Sequence, residues 1–170
     1  MKPVLKKIRK LDKALEKNFA GEHFSFPPQA DLFFKWLPVL YVLTADATGV
    51  KTKNRFMQRV IIIALSELIL NSVVETFKKL IHRRRPDSFF KFNSFPSGHT
   101  ATSFSGAEIL HEEIKRHSLA ISLTGYTIAA TTATLRLYKR KHWFSDVVAG
   151  AIIGILSARL SYMLYKNLSK

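Results

Sequence analysis

Charge is sorted along this chain rather than mixed. Ser118–Leu135 carries none, Val147–Tyr165 carries only Arg159, Val60–Phe77 only Glu67 and Glu75, and Leu32–Ala45 only Lys35. A helix crosses a bilayer core with about 20 mostly apolar residues, and these runs approach that length. One such run could be the core helix of a soluble all-α protein. Several, each stopped by a dense basic cluster as expected at headgroup level, point instead to an integral membrane protein. The expected fold is an all-α membrane bundle of about five to six spans. A mean hydropathy of +0.03 conceals this segregation.

Lys and Arg number 27 against 12 Asp and Glu, a formal charge of +15. That excess calls for an anionic partner: nucleic acid, anionic lipid or a phosphorylated substrate. The apolar runs select the lipid readings over nucleic acid. There are no cysteines, which excludes disulfide frameworks, Cys-ligated metal and a Cys nucleophile.

Met1–Asn18 reads as a basic amphipathic helix. Val4, Leu5, Ile8, Leu11 and Leu15 recur at helical spacing between lysines, too charged to span and suited to the membrane interface. Without a continuous apolar stretch there, no cleavable signal peptide is expected. Residues 1–30 therefore read as an interfacial segment, with Gly21–Ala30 as a connector inside a single domain of residues 1–170. Helices are expected over about 31–48, 55–78, 97–113, 118–135 and 145–165. The third is rich in Ser, Thr, Gly and Ala, which suits close packing inside a bundle, and Gly150 and Gly154 form a small-xxx-small packing pair on the last. Glu67, Asn71, Glu75 and Lys78 form a polar stripe, expected to face the bundle interior. Glu75 can hold Lys78 as an i,i+3 pair; a proton or water path is the alternative.

The chemistry gathers in two loops on one side of the bundle. The first runs Lys78, then Arg85-Pro86, then Pro96-Ser97-Gly98-His99; the second runs Arg136, His142, Asp146. Ser97-Gly98-His99 at a helix N-terminus can hold phosphate oxygens on free N–H groups, and Gly98 lets an anion approach the backbone. Lys78, Arg85 and Arg136 can neutralise a phosphate. His142 and Asp146 stand four apart, so Asp146 can accept from the imidazole Nδ1–H and leave Nε2 aimed outward as a nucleophile. His99 remains as the acid for the leaving group. Taken singly, the Pro-Ser-Gly-His run could be a helix cap and the His-x3-Asp pair structural; their combination favours catalysis.

The set resembles the type 2 phosphatidic acid phosphatase (PAP2) superfamily, whose three-part signature reads here Lys78…Arg85-Pro86, Pro96-Ser97-Gly98-His99 and Leu135-Arg136…His142…Asp146. Leu135 stands where that family usually has Ser. The resemblance covers about residues 55–165, the expected catalytic core. It implies a metal-independent, cofactor-free phosphatase in which His142 forms a phosphohistidine and Asp146 orients it. His99 then protonates the leaving oxygen, while Lys78, Arg85, Ser97, Gly98 and Arg136 hold the phosphoryl oxygens. The general look is similar to bacterial lipid A 1-phosphatases, and the extra cations Arg83, Arg84, Lys139, Arg140 and Lys141 favour a large polyanionic lipid. Undecaprenyl diphosphate or phosphatidylglycerol phosphate is an alternative substrate, a lipid phosphotransferase an alternative enzyme, and an anionic-lipid-binding scaffold the non-enzymatic alternative.

The resemblance also implies a multi-pass protein of a bacterial inner membrane with its site on the periplasmic face. The two site loops hold ten Lys or Arg, so a positive-inside count favours a cytoplasmic site. We follow the resemblance, because several of those cations would be catalytic. With five spans the N-terminus would lie on the site side, which again suits an interfacial placement.

Overall fold

The computed structural model describes residues 2–19, 27 and 29–168. These form α1 (Lys2–Phe19), α2 (Ala30–Thr44) continued by a 3-10 turn (Ala45–Thr48), α3 (Phe56–Ile81), α4 (Gly98–Ile114), α5 (Leu119–Tyr138) and α6 (Phe144–Leu168). No strand occurs among the described residues. Local signals set several boundaries. The Arg55 N–H donates to Gln58 Oε1 at 2.8 Å at the start of α3, and Ser118 Oγ accepts from the Ile121 N–H at the start of α5. His82, in the left-handed region at φ 45°, closes α3 by donating its N–H to the Lys78 carbonyl.

α4 is the axis of the bundle and packs against α6, α5, α2 and α3. Small residues make this possible, since twelve of its seventeen residues are buried. The Gly150/Gly154 pair is the seam with α6: a Cβ on Gly150 would lie 2.5 Å from the Ser97 carbonyl oxygen, and one on Gly154 would collide with that of Ala101. The expected packing role is therefore what the structure shows. α3 and α6 are long and apolar enough to cross a membrane. Both carry exposed apolar side chains, including Met57 and Leu68 on α3 and Ile152, Leu156 and Met163 on α6. Such faces suit contact with lipid.

The end of the bundle away from the site is latched by buried polar groups. Arg59, fully buried, donates to the Val42 carbonyl at 2.7 Å and pairs with Asp46. Glu113 accepts from the Asn54 side chain at 2.6 Å and the Tyr162 hydroxyl at 2.6 Å, while Glu108 takes Arg159 and Tyr126.

Three expectations are corrected. α3 runs on to Ile81, and α5 runs to Tyr138, so Arg136 sits in the last turn of a helix rather than in a loop. The α3 polar stripe does not turn wholly inward: Glu67 is half-buried, but Asn71 and Glu75 are exposed. Asn71 donates to the Glu67 carbonyl at 2.7 Å, and Lys78 donates to Glu75 at 2.7 Å, the i,i+3 pair expected.

The backbone contact at Gly150 leaves no room for a methyl group. Gly150→Ala is expected to cost about 1–3 kcal/mol and to lower the Tm in detergent by roughly 2–12 °C. An unchanged melt would show that the α4–α6 seam has slack.

Candidate active site

Five helix ends converge on one end of the bundle: the starts of α2, α4 and α6 and the ends of α3 and α5. Hydrogen bonds stitch the two connecting loops together. The Asp87 N–H donates to the Arg140 carbonyl at 3.0 Å, Lys141 Nζ to Asp87 Oδ2 at 2.5 Å, and Trp143 Nε1–H to the Arg84 carbonyl at 2.8 Å. The first loop also folds on itself, the Arg85 N–H reaching the Lys91 carbonyl and the Ser94 N–H the Arg83 carbonyl.

His142 lies in this stitched region, with its side chain only 2% exposed. The expectation that it points outward is thus corrected: the loops close around it. Its Nδ1 lies 2.7 Å from the Ser94 carbonyl oxygen. A carbonyl only accepts, so Nδ1 carries the proton and Nε2 of the neutral ring holds the free lone pair. Burial, then the nearby Arg136 and Arg85 guanidinium groups, pushes the His142 pKa well below the ordinary histidine value.

Asp146 does not accept that Nδ1 proton, because its Oδ2 stands 3.9 Å away. This is a second correction, and its cause is competition. The fully buried carboxylate already accepts from Ser94 Oγ at 2.5 Å, the Trp143 N–H at 2.9 Å and Arg83 Nη1 at 2.5 Å. Asp146 therefore fixes Ser94, and the Ser94 carbonyl orients His142. Ser94 had no motif to mark it. The Asp146 carbonyl also accepts the Ser97 N–H at 3.0 Å, which ties the start of α6 to the start of α4.

His99, in the first turn of α4, is more open, with its side chain 28% exposed. Arg136, Lys35, Asp31 and Arg85 are the charged groups that face it. Arg136 is nearly buried, and its Nε–H has no partner among the described residues. A phosphate oxygen would satisfy such a donor. Arg85 Nε–H donates to Asn93 Oδ1 at 2.9 Å, and Ser97 Oγ is hydrogen-bonded to Thr100 Oγ1 at 2.9 Å. Gly98 lies beside Lys78, whose Nζ is 3.9 Å from where a Gly98 Cβ would stand. A cleft of about 560 Å³ reaches Lys78 and Arg85, although neither imidazole lines it.

Asp31 was not anticipated. From the first turn of α2 its buried carboxylate pairs with Arg136, accepts from Lys139 Nζ at 2.5 Å, and stands 4.0 Å from His99 Nε2. An anion therefore already lies against Arg136 and His99 in this structure. The one acid of a mostly apolar helix was the available signal.

The extra loop cations are also corrected. Arg83 is held by Asp12 and Asp146, Lys139 by Asp31, Arg140 by Glu16 and Lys141 by Asp87, while Arg84 lies over the Phe89 ring at 4.1 Å. Four of the five pair with the protein's own carboxylates, so they do not argue for a polyanionic lipid.

The lowered His142 pKa sets the sign of a pH dependence. Activity that needs the neutral imidazole is lost only when His142 protonates, so the acid limb of kcat/KM should lie below pH 6.5, the ordinary histidine value. Arg85→Gln removes one of the cations responsible and should move that limb upward even as it lowers the rate. An acid limb at or above the ordinary value in the unmodified protein would contradict the assignment.

Residues 58–170 match the PAP2 superfamily. The chain is 34% identical over 154 residues to the lipid A 1-phosphatase of Porphyromonas gingivalis, covering 90% of this chain and 34% of that protein. It is 36% identical over 80 residues to the acid phosphatase of Zymomonas mobilis subsp. mobilis, covering 47% of this chain and 29% of that one. It thus spans about a third of the length of these curated relatives. Two solved structures share the fold. Aquifex aeolicus LpxE has a TM-score of 0.61 at 24% identity, with 91% of this chain and 93% of that one covered. The transmembrane PAP2 type phosphatidylglycerolphosphate phosphatase of Bacillus subtilis has a TM-score of 0.65 at 19% identity, with 95% and 87% covered. With the family matched over well more than half its length and the three signature segments brought to one end of the bundle, the chain belongs to the PAP2 superfamily.

Proposed function

We propose that this chain is a metal-independent lipid phosphate phosphatase. The observation that carries the reading is the state of His142: a neutral ring whose Nδ1–H is held by the Ser94 carbonyl, with its Nε2 lone pair free and Arg85 and Arg136 nearby. In the first step His142 Nε2 bonds to phosphorus as the bond to the lipid oxygen breaks, and His99, protonated once the bound phosphate dianion offsets the charges of Arg136, Lys35 and Arg85, gives its proton to that oxygen. In the second, His99 takes a proton from water, the water oxygen bonds to phosphorus, and the N–P bond breaks to release inorganic phosphate. Lys78, Arg85, Arg136 and the first-turn N–H groups of α4 stabilise the charge on the equatorial oxygens through both steps. These cations take the part a divalent metal plays elsewhere.

Lipid A 1-phosphate is the favoured substrate. The support is the relative of that name, matched across nine-tenths of this chain. The exposed apolar faces of α3 and α6 support a multi-pass protein of the bacterial inner membrane, and the family resemblance supports a periplasmic site. The charge count against that side loses force, because most site-loop cations are paired to carboxylates or belong to the phosphate cage.

The test is phosphate release from a panel of lipid phosphates by detergent-purified protein, with and without EDTA. Lipid A 1-phosphate should be the best substrate and EDTA should not reduce its turnover. His142→Ala and His99→Ala should each lose at least about a hundredfold in kcat while melting as the unmodified protein does. Loss on chelation that Mg²⁺ restores would overturn metal independence, and an active His142→Ala would overturn the nucleophile. Transfer of the phosphoryl group to a second lipid would indicate a phosphotransferase, and binding without release a scaffold.

A further inference from the structure

α1 is a basic helix with one buried acid. Lys6, Lys7, Lys10, Lys13 and Lys17 are exposed, yet Asp12 is only 2% exposed. Burying a carboxylate costs several kcal/mol unless it is paired and fully hydrogen-bonded. Asp12 meets that condition entirely with groups at the active site. Its Oδ1 accepts the Ser145 N–H at 2.9 Å, and its Oδ2 accepts Ser145 Oγ–H at 2.8 Å and Arg83 Nη2–H at 2.5 Å. The Ser145 N–H belongs to the first turn of α6, whose amides have no acceptor within the helix. Asp12 thus caps α6 from another helix, one residue before Asp146.

Arg83 carries the contact further. Its second nitrogen, Nη1, donates to Asp146 Oδ1 at 2.5 Å, so one guanidinium is shared between the two buried carboxylates. Asp146 Oδ2 holds Ser94 Oγ at 2.5 Å, and the Ser94 carbonyl holds His142 Nδ1 at 2.7 Å. The connection from α1 to the imidazole is continuous, and four of its five residues are buried. Neither Asp12 nor Arg83 belongs to the signature motifs.

We infer that Asp12 is a positioning residue for His142, so that α1 is a working part of the catalytic centre rather than a peripheral anchor. It rests on the reading of His142 as nucleophile, but the network itself has a readout independent of activity. Docked α1 fixes Arg83 against Asp146 and caps α6, and through Ser94 this sets the ring orientation of His142. A reacting group displaced by about 1 Å loses on the order of a hundredfold in rate.

The test uses the full chain in detergent with Asp12→Ala, Asp12→Asn, Arg83→Ala and the double variant Asp12→Ala/Arg83→Ala. Asp12→Ala should lower kcat by about tenfold to a hundredfold with KM changed less than about twofold, because no substrate contact is lost. Asp12→Asn keeps an acceptor for the Ser145 N–H and should recover part of the loss. The double variant should be no slower than Arg83→Ala alone, as expected for residues acting in one network. Hydrogen exchange should show faster exchange in Asp12→Ala at residues 142–148, whatever the activity. Wild-type kcat in Asp12→Ala, a change confined to KM, or strictly additive losses would overturn the inference. If the unmodified protein released no phosphate from any lipid, the phosphatase reading would fail; unchanged exchange at residues 142–148 would separately overturn the network.

Discussion

The site depends on one buried carboxylate. Asp146 is fully buried, and its side chain gathers Arg83, Ser94 and the Trp143 N–H while its carbonyl takes the Ser97 N–H. An isolated buried carboxylate would be unstable by several kcal/mol, and hydrogen bonds to a charged group offset about 1.5–3 kcal/mol each. Meeting that demand draws the first site loop, α4, α6 and, through Arg83, α1 into a single arrangement. The orientation of His142 follows from it, since Ser94, whose carbonyl holds Nδ1, is anchored to Asp146 through its hydroxyl. Small residues make the arrangement possible, because Gly150 lets the start of α4 close on α6.

The net charge of +15 is handled locally. Several site-loop cations are paired with carboxylates that lie far away in sequence. Asp12 serves Arg83, Glu16 serves Arg140, and Asp31 serves Lys139 and Arg136. The pairing leaves an unpartnered donor on Arg136 and an incompletely balanced positive field around His99 and His142, which is where a dianionic phosphate would be stabilised. Asp31 faces the same region, so an entering phosphate must share Arg136 with it or displace it.

The helices and their approximate limits were legible, because each depends on local periodicity, and the meeting of the two site loops at one end followed from the two helices between them. The partner of His142 Nδ1 was not legible. A four-residue spacing puts Asp146 on the same helical face, but it does not reveal that Arg83 and Ser94 claim the carboxylate first. Asp12, Asp31 and Ser94 escaped for a related reason. Their partners lie 48 to 133 residues away, so nothing in the local pattern joins them. The burial of His142 was equally hidden, since it arises from cross-loop bonds such as Trp143 to Arg84. What did mark the two acids was incongruity: Asp31 is the one carboxylate of a mostly apolar helix, and Asp12 is one of two on a helix dominated by lysine.

The central claim is that His142 carries the phosphoryl group and His99 serves the oxygens around it. The most direct measurement is trapping of the phosphoenzyme with a radiolabelled lipid phosphate, quenched in alkali, in the unmodified protein and in His99→Ala and His142→Ala. Alkali-stable, acid-labile label is expected in the unmodified protein, a slower approach to it in His99→Ala, where the leaving oxygen lacks its acid, and none in His142→Ala. Label retained at full level in His142→Ala would contradict the claim.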